Sequence, residues 1–441
     1  MIRAIFTLPT RLVLAGLFAL VLALPARAIE IQQVTSPGGI KAWLVENHDI
    51  PFTALDIAFR GGASLDAPGK RGEINLMTAT LEEGAGTLDS QQFAAAQEAL
   101  AAEFGFDVGD DTLEVSARML TENRDKSVDL LRSALINPRF DQTAIDRVRQ
   151  QVLSIIASDA SDPNALAAET FRKLAYGDHP YGSSLNGTVE SVKGLTQSDM
   201  FDAKARVMSR DHMVVSVVGD ITPAELGPML DTLLGDLPAT GAAMPKPVTP
   251  DFKGTVTRVD FDSPQSVVIF GQKGIKMDDP DFFAAYVLNQ IIGAGGFSSR
   301  LMDEVREKRG LTYGIASYLV DKDDAQTWQG SFASANEKVA EAISVVKDEW
   351  QKAATGTVSD KELADAKAYL TGAYPLRFDG NGTIAGIITG MQLNGMSPDY
   401  IKTRNDKVNA VTKADIARVA KRVLDPEELS FVIVGRPIGL N

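Results

Sequence analysis

A chain of 441 residues has room for two or more domains, each large enough to bury its own core, and 44% hydrophobic with 23% charged residues is globular rather than disordered composition. The formal charge of −14 (44 Lys+Arg against 58 Asp+Glu) leaves no surplus of cations to displace phosphate counterions, so it argues against nucleic acid and gives no reason to expect an anionic membrane surface. The absence of cysteine excludes disulfides, thiolate zinc sites, iron–sulfur clusters and cysteine nucleophiles.

In chain order, Arg3 and Arg11 come first, then the apolar run Leu12 to Leu24, then Ala26-Arg27-Ala28. A charged start, a short apolar core and an A-x-A end are the parts of a secretory signal, and the run is too short to cross a bilayer. The expectation is export with cleavage near Ala28, into the periplasm, leaving residues 29–441 with no membrane association.

In the first half, strands are expected over Ile40 to Val45, Thr53 to Phe59 and Thr112 to Met119. Helices are expected over Glu73 to Leu81, Gln91 to Phe104, Arg124 to Ile136 and Thr143 to Ala157. Between Leu237 and Phe252 the chain holds Pro238, Pro245, Pro247 and Pro250 with Gly241, a composition with a restricted backbone and little to pack. This reads as a linker over 238–251, between a domain at 29–237 and a second at 252–441. The second half repeats the style, with strands at Val267 to Phe270 and Thr312 to Leu319. Its expected helices are Asp281 to Ile292, Ser299 to Lys308, Lys338 to Thr355 and Ser359 to Ala373.

An internal repeat supports the division. Leu195 to Asp220 aligns without a gap on Val411 to Arg436, with identities at Thr196/Thr412, Asp199/Asp415, Arg206/Arg422, Val207/Val423, Val218/Val434 and Gly219/Gly435. Each copy reads as a helix capped by T-x-x-D running into an apolar strand that ends in glycine. The fold class expected is α+β, built as two duplicated domains, each a sheet with helices packed on it.

Few residues suggest chemistry by themselves. His48, His179 and His212 are dispersed, without ligand neighbours at helical spacing, and His179 reads as a turn residue. Gly380 to Ala385 matches G-x-G-x-x-A but follows no convincing strand, so the dinucleotide reading is rejected. Glu82-Glu83 carries no acid/base assignment.

Two segments carry a family likeness. Phe59 to Leu65 followed by Pro68-Gly69-Lys70-Arg71-Gly72 resembles the lead-in to the H-x-x-E-H helix of pitrilysin/insulinase-type zinc peptidases, the inverzincins. Where that motif would stand, this chain has Asn75-Leu76-Met77-Thr78-Ala79, so Asn75 and Ala79 replace the histidines and Thr78 the base. The family's third ligand, a glutamate, would fall near Ser154 or Ile155, neither a carboxylate. The segment Gly293 to Leu301, then Val305 to Tyr313, is similar to the family's C-terminal half-domain with its R-x6-Y pair, matched by Arg306 and Tyr313. From the residues alone, Arg306 belongs to a solvated charged helix and Tyr313 is a strand aromatic. The resemblance implies instead that they reach the substrate at a zinc, the phenol donating to an oxyanion and the guanidinium holding peptide carbonyls.

The resemblance further implies that the two domains form half of a clamshell and that the chain is the non-catalytic subunit of a heterodimeric metalloendopeptidase. Its partner would be a homologous subunit carrying H-x-x-E-H and the zinc, with peptides as substrates and no metal or other cofactor in this chain. The alternative is a catalytically inert peptide-binding or scaffold protein with the same fold.

Overall fold

Alternation along the strands, with Leu55, Ile57 and Phe59 on one face of a strand and Ala54 on the other, dictates sheets buried on both sides. A computed structural model describes residues 29–440, so the expected export signal lies outside the described residues. The first sheet contains β1 (Gln32–Thr35), β2 (Lys41–Glu46), β3 (Phe52–Arg60), β4 (Glu103–Val108), β5 (Thr112–Leu120) and β6 (Met213–Gly219), in the order β1-β2-β6-β3-β5-β4. The second contains β7 (Val256–Val259), β8 (Gln265–Lys273), β9 (Ile315–Asp321), β10 (Gln326–Ala335) and β11 (Ser430–Val434), in the order β9-β10-β8-β11-β7.

Without β1, the two sheets have one topology. In each, the entry strand pairs in parallel with the last strand, Leu44 opposite Val217 and Phe431 opposite Val256, and every other pairing is antiparallel. The repeat seen in the sequence is the helix and final strand of each half. Thr196 and Thr412 both close capping boxes, with Asp199 and Asp415, on helices Gln197–Val207 and Lys413–Val423. Gly219 and Gly435 end the strands at φ 139° and 149°, a backbone region that disfavours side chains. The fold is therefore α+β and duplicated, as expected.

Helices Glu73–Thr78, Arg124–Ile136, Gln142–Asp159, Gln197–Val207 and Pro223–Leu234 pack on one face of the first sheet. Phe282–Asn289, Val339–Ala354, Asp360–Ala373 and Lys413–Val423 do so on the second. The opposite faces are covered by exchange. Helix Pro163–Tyr176 of the first half lays Ala167 and Phe171 on the second sheet, against Val432 and Val434. Helix Asn381–Leu393 of the second half lays Ile384, Ala385 and Ile388 on the first sheet, against Ala54 and Val218.

The equivalent hairpin turns of the two halves also meet. Lys322 Nζ lies 2.6 Å from Asp110 Oδ2, the Asp323 amide donates to Asp111 (3.4 Å), and the Tyr181 hydroxyl bonds Asp111 while accepting from the Asp324 amide (3.2 Å).

Several boundaries differ from expectation. The helix expected to reach Phe104 covers Ser90–Ala99; the chain turns at Ala101 (φ 48°) and Glu103 already begins β4. The helix at Glu73 ends at Thr78 rather than Leu81, and the strand expected from Thr312 begins at Ile315 because Thr312 ties its hydroxyl to the Gly314 and Ala333 carbonyls. Phe282–Asn289 passes into a π-helical segment, Gln290–Ala294, and a second π segment, Met302–Glu307, occupies the helix expected over Ser299 to Lys308. Such widened turns are frequent at functional sites.

Candidate functional site

The Glu73–Thr78 helix is held firmly at its start. Gly72 takes φ 95°, and a Cβ there would lie 2.7 Å from the Asn186 carbonyl oxygen. Arg71 donates to the Ser184 and Pro180 carbonyls (3.0 and 3.1 Å) and to Asp66 (3.1 Å), while buried Glu73 pairs with Arg206. Burial pushes the Glu73 carboxyl up from its ordinary range, with the Ala67 amide and Arg206 opposing. The scaffold that would present a metal motif is thus intact.

The motif positions themselves are spent on packing. Asn75 donates to Asn186 Oδ1 (3.0 Å), and Asn186 donates to Asp159 (3.5 Å). Thr78 is buried and returns its hydroxyl to the Ile74 carbonyl at 2.7 Å. Ala79 caps the helix through its backbone and packs on the core. On helix Gln142–Asp159, Ser154 bonds the Gln150 carbonyl and Ile155 is exposed. Catalytic zinc takes about three nitrogen, sulfur or carboxylate ligands. With the Thr78 hydroxyl committed, no donor on the Ala79 side chain and no carboxylate at 154 or 155, this set does not fit it. Among the described residues no group of three or more His, Cys, Asp or Glu is arranged to hold a metal.

Arg306 and Tyr313 come together in the wall of one cleft of about 460 Å³, beside Gln265 and Lys338. Their surroundings leave them available. Lys308 is taken by Asp303 and Glu304 (2.8 and 2.6 Å), which hold its ammonium above the usual range, and Arg309 is taken by Glu304 (2.6 Å). Among the described residues Arg306 has a single, loose ion pair, with Glu307 3.6 Å away, and it lays its guanidinium 4.5 Å from the centre of the Phe297 ring. Tyr313 is 88% exposed on a loop fixed by the Thr312 hydroxyl and by Lys338, which bonds the Gly310 carbonyl at 3.0 Å. Phe297, itself 69% exposed, was not singled out by the sequence; its place in the Gly295-Gly296-Phe297 turn was the only signal.

The dispersed histidines stay apart. His48 pairs with Asp220 (2.7 Å) and Glu46 (3.3 Å), mainly the Asp220 bond raising its pKa; His179 caps the Pro180–Gly182 turn by accepting from the Tyr181 amide. Gly380 begins a helix but follows a turn at Pro375–Arg377 rather than a strand, so no dinucleotide-binding unit exists there.

Fold and site define a two-half α+β protein with the frame of a metallopeptidase and without the donors of its metal. Residues 42–189 match the family described as insulinase (peptidase family M16), and residues 194–370 match the peptidase M16 inactive domain. A Helicobacter pylori protein, the non-peptidase homolog YmxG, is 27% identical over 436 residues, covering 96% of each chain. An uncharacterized zinc protease of Streptomyces coelicolor is 24% identical, covering 89% of this chain and 87% of its own. The crystal structure of a peptidase M16 inactive domain from Pseudomonas fluorescens superposes with a TM-score of 0.87 at 27% identity, over 94% of this chain and 99% of that one. The chain belongs to peptidase family M16.

Proposed function

We propose that this chain is the non-catalytic subunit of a periplasmic heterodimeric zinc metallopeptidase, supplying Arg306 and Tyr313 to the active site of a partner that carries H-x-x-E-H. The observation that carries the reading is their place in one open cleft, the phenol 88% exposed and without a hydrogen-bond partner among the described residues, while the chain's own motif positions are absorbed into packing. A surface tyrosine with no structural task is poised to donate to an oxyanion, and the guanidinium above Phe297 is placed to hold peptide carbonyl oxygens.

The test is steady-state hydrolysis of a quenched fluorescent peptide by the chain reconstituted with an H-x-x-E-H homologue from the same cell. Tyr313→Phe should lower kcat by about 10²–10³ while assembly, followed by sizing chromatography, is unchanged. Full activity of the variant pair would remove the in-trans role. The second reading, an inert peptide-binding or scaffold protein, is favoured by the likeness to a protein named a non-peptidase homolog. It would then take precedence.

A further inference from the structure

A cleft of about 540 Å³ lies between the Asn381–Leu393 and Tyr400–Ala410 helices and the start of Phe282–Asn289. Its wall is aromatic and sulfur-rich, with Phe282, Tyr286, Tyr374, Tyr400, Met391 and Met396. Methionine and aromatic surfaces together accept varied apolar shapes. The size is that of a small-molecule site.

The polar part of the wall is one-sided. Arg377 and Arg404 line the cleft and, among the described residues, no Asp or Glu does, in a chain with a formal charge of −14. Arg404 is only 5% exposed. Its guanidinium donates to the Leu370 carbonyl (2.7 Å), Asn405 Oδ1 (2.9 Å) and the Tyr286 hydroxyl (3.3 Å), and it lies 4.6 Å from the Tyr374 ring centre. These acceptors are all neutral, and among the described residues no carboxylate pairs with Arg404 or Arg377. The Leu370 carbonyl belongs to the last turn of a helix, whose dipole offsets part of the charge. The remainder is a buried cation without a counter-ion, which is costly unless an anion completes it. In the adjoining cleft, the three acidic residues of the wall are paired elsewhere, Asp278 with Lys276, Asp279 with Arg422 and Asp415 with Arg418. On the same wall, burial pushes the Tyr400 phenol up to about 12.

We propose that this cleft binds a small apolar carboxylic acid, its body among the aromatic and methionine side chains and its carboxylate at Arg404 and Arg377. The same chemistry could come from a free medium-chain fatty acid or from the C-terminal residue of a short peptide ending in a large apolar side chain. This proposal does not depend on the in-trans reading of Arg306 and Tyr313.

Calorimetric titration of the full chain with decanoate and with decanol tests it, with N-acetyl-Phe-Leu as free acid and as amide in parallel. The expected result is saturable one-to-one binding of at least one acid, with its neutral counterpart weaker by about ten- to a hundredfold, the worth of a charged hydrogen bond. Which acid binds more tightly tells the two sources apart. Arg377→Ala, at an exposed position, should reduce the acid's advantage without affecting folding. Gly390→Leu should abolish binding, since Gly390 lines the cleft and nothing lies within 4 Å of where its Cβ would be. Equal affinity for acid and neutral forms, no binding by either acid, or unchanged binding in Gly390→Leu would overturn the proposal.

Discussion

Phe171, on a helix of the first half, brings the tip of its ring against Gly271 in the middle of the second sheet: a Cβ on Gly271 would stand 2.7 Å from Cζ of the ring. The ring also meets Phe252, with centroids 5.6 Å apart, where the second half begins. The contact depends on a missing side chain. Gly271→Ala should lower stability by about 1–3 kcal/mol through overpacking, read as a lower urea midpoint with unchanged slope. Phe171→Leu in the same chain should recover part of the loss, and additive losses would show that the two residues do not share the space.

The second prediction concerns metal. With Asn75, Thr78 and Ala79 at the motif positions, the chain purified alone should carry no stoichiometric zinc and hydrolyse no peptide. Elemental analysis giving about one tightly held zinc per chain would overturn the packing role assigned to these residues.

Arg306 and Tyr313 should fail differently in the reconstituted pair. Arg306→Ala should act mainly on KM, because a guanidinium holding peptide carbonyls binds ground and transition states alike. Phe297→Ala should produce a weaker version of the same KM effect, since the ring supports the guanidinium. An effect of either variant on kcat alone would contradict a positioning role.

A fourth prediction follows from Asp56, on β3 beneath the Asn381–Leu393 helix. Its Oδ1 has no hydrogen-bond partner, and burial, helped by Glu114, pushes its carboxyl from 3.8 to about 7. Because the folded value is the higher one, the folded state holds the proton through this interval, and stability falls as pH rises across it. Asp56→Asn should therefore exceed the parent in stability by roughly 2–4 kcal/mol at pH 8. The advantage should vanish by about pH 3, below the free value, where Asp56 is protonated in both states. Urea titrations at the two pH values measure the difference; an equal offset at both would exclude ionisation as its source.

Much of this architecture was readable from residues. The T-x-x-D boxes at Thr196 and Thr412 and the strands that follow them are local signals, set by capping and by period-two burial, and both halves obey them. Arg306 and Tyr313 were found by likeness alone, for nothing in their spacing distinguishes them from a charged helix and an aromatic strand. The exchanged helices were not readable. Asn381–Leu393 contains Gly382, Gly386 and Gly390 and has apolar residues on more than one side, so its periodicity is weak, and its glycines imitate a nucleotide-binding signature. Of these only Gly386 faces the sheet, where a Cβ would stand 3.5 Å from Asp56 Oδ2; nothing lies within 4 Å of a Cβ at Gly382 or Gly390. Pro163–Tyr176 is covered by strands Gln265–Lys273 and Ser430–Val434, the second more than 250 residues further along the chain, a relationship that a local pattern does not contain.

The two exchanged helices also bear on ancestry. A single half, cut free, would leave one face of its sheet bare and send one helix out with nothing to lie on. Such a unit is stable only when a second copy returns the favour, as in an intertwined dimer. Duplication and fusion would then have joined two copies that already held each other; the proline-rich stretch between them now touches both, with Ala242 packed on the first core and the Val248 amide donating to the Asp324 carbonyl (2.9 Å). Proteolysis confined to that stretch should leave two fragments that travel as one particle.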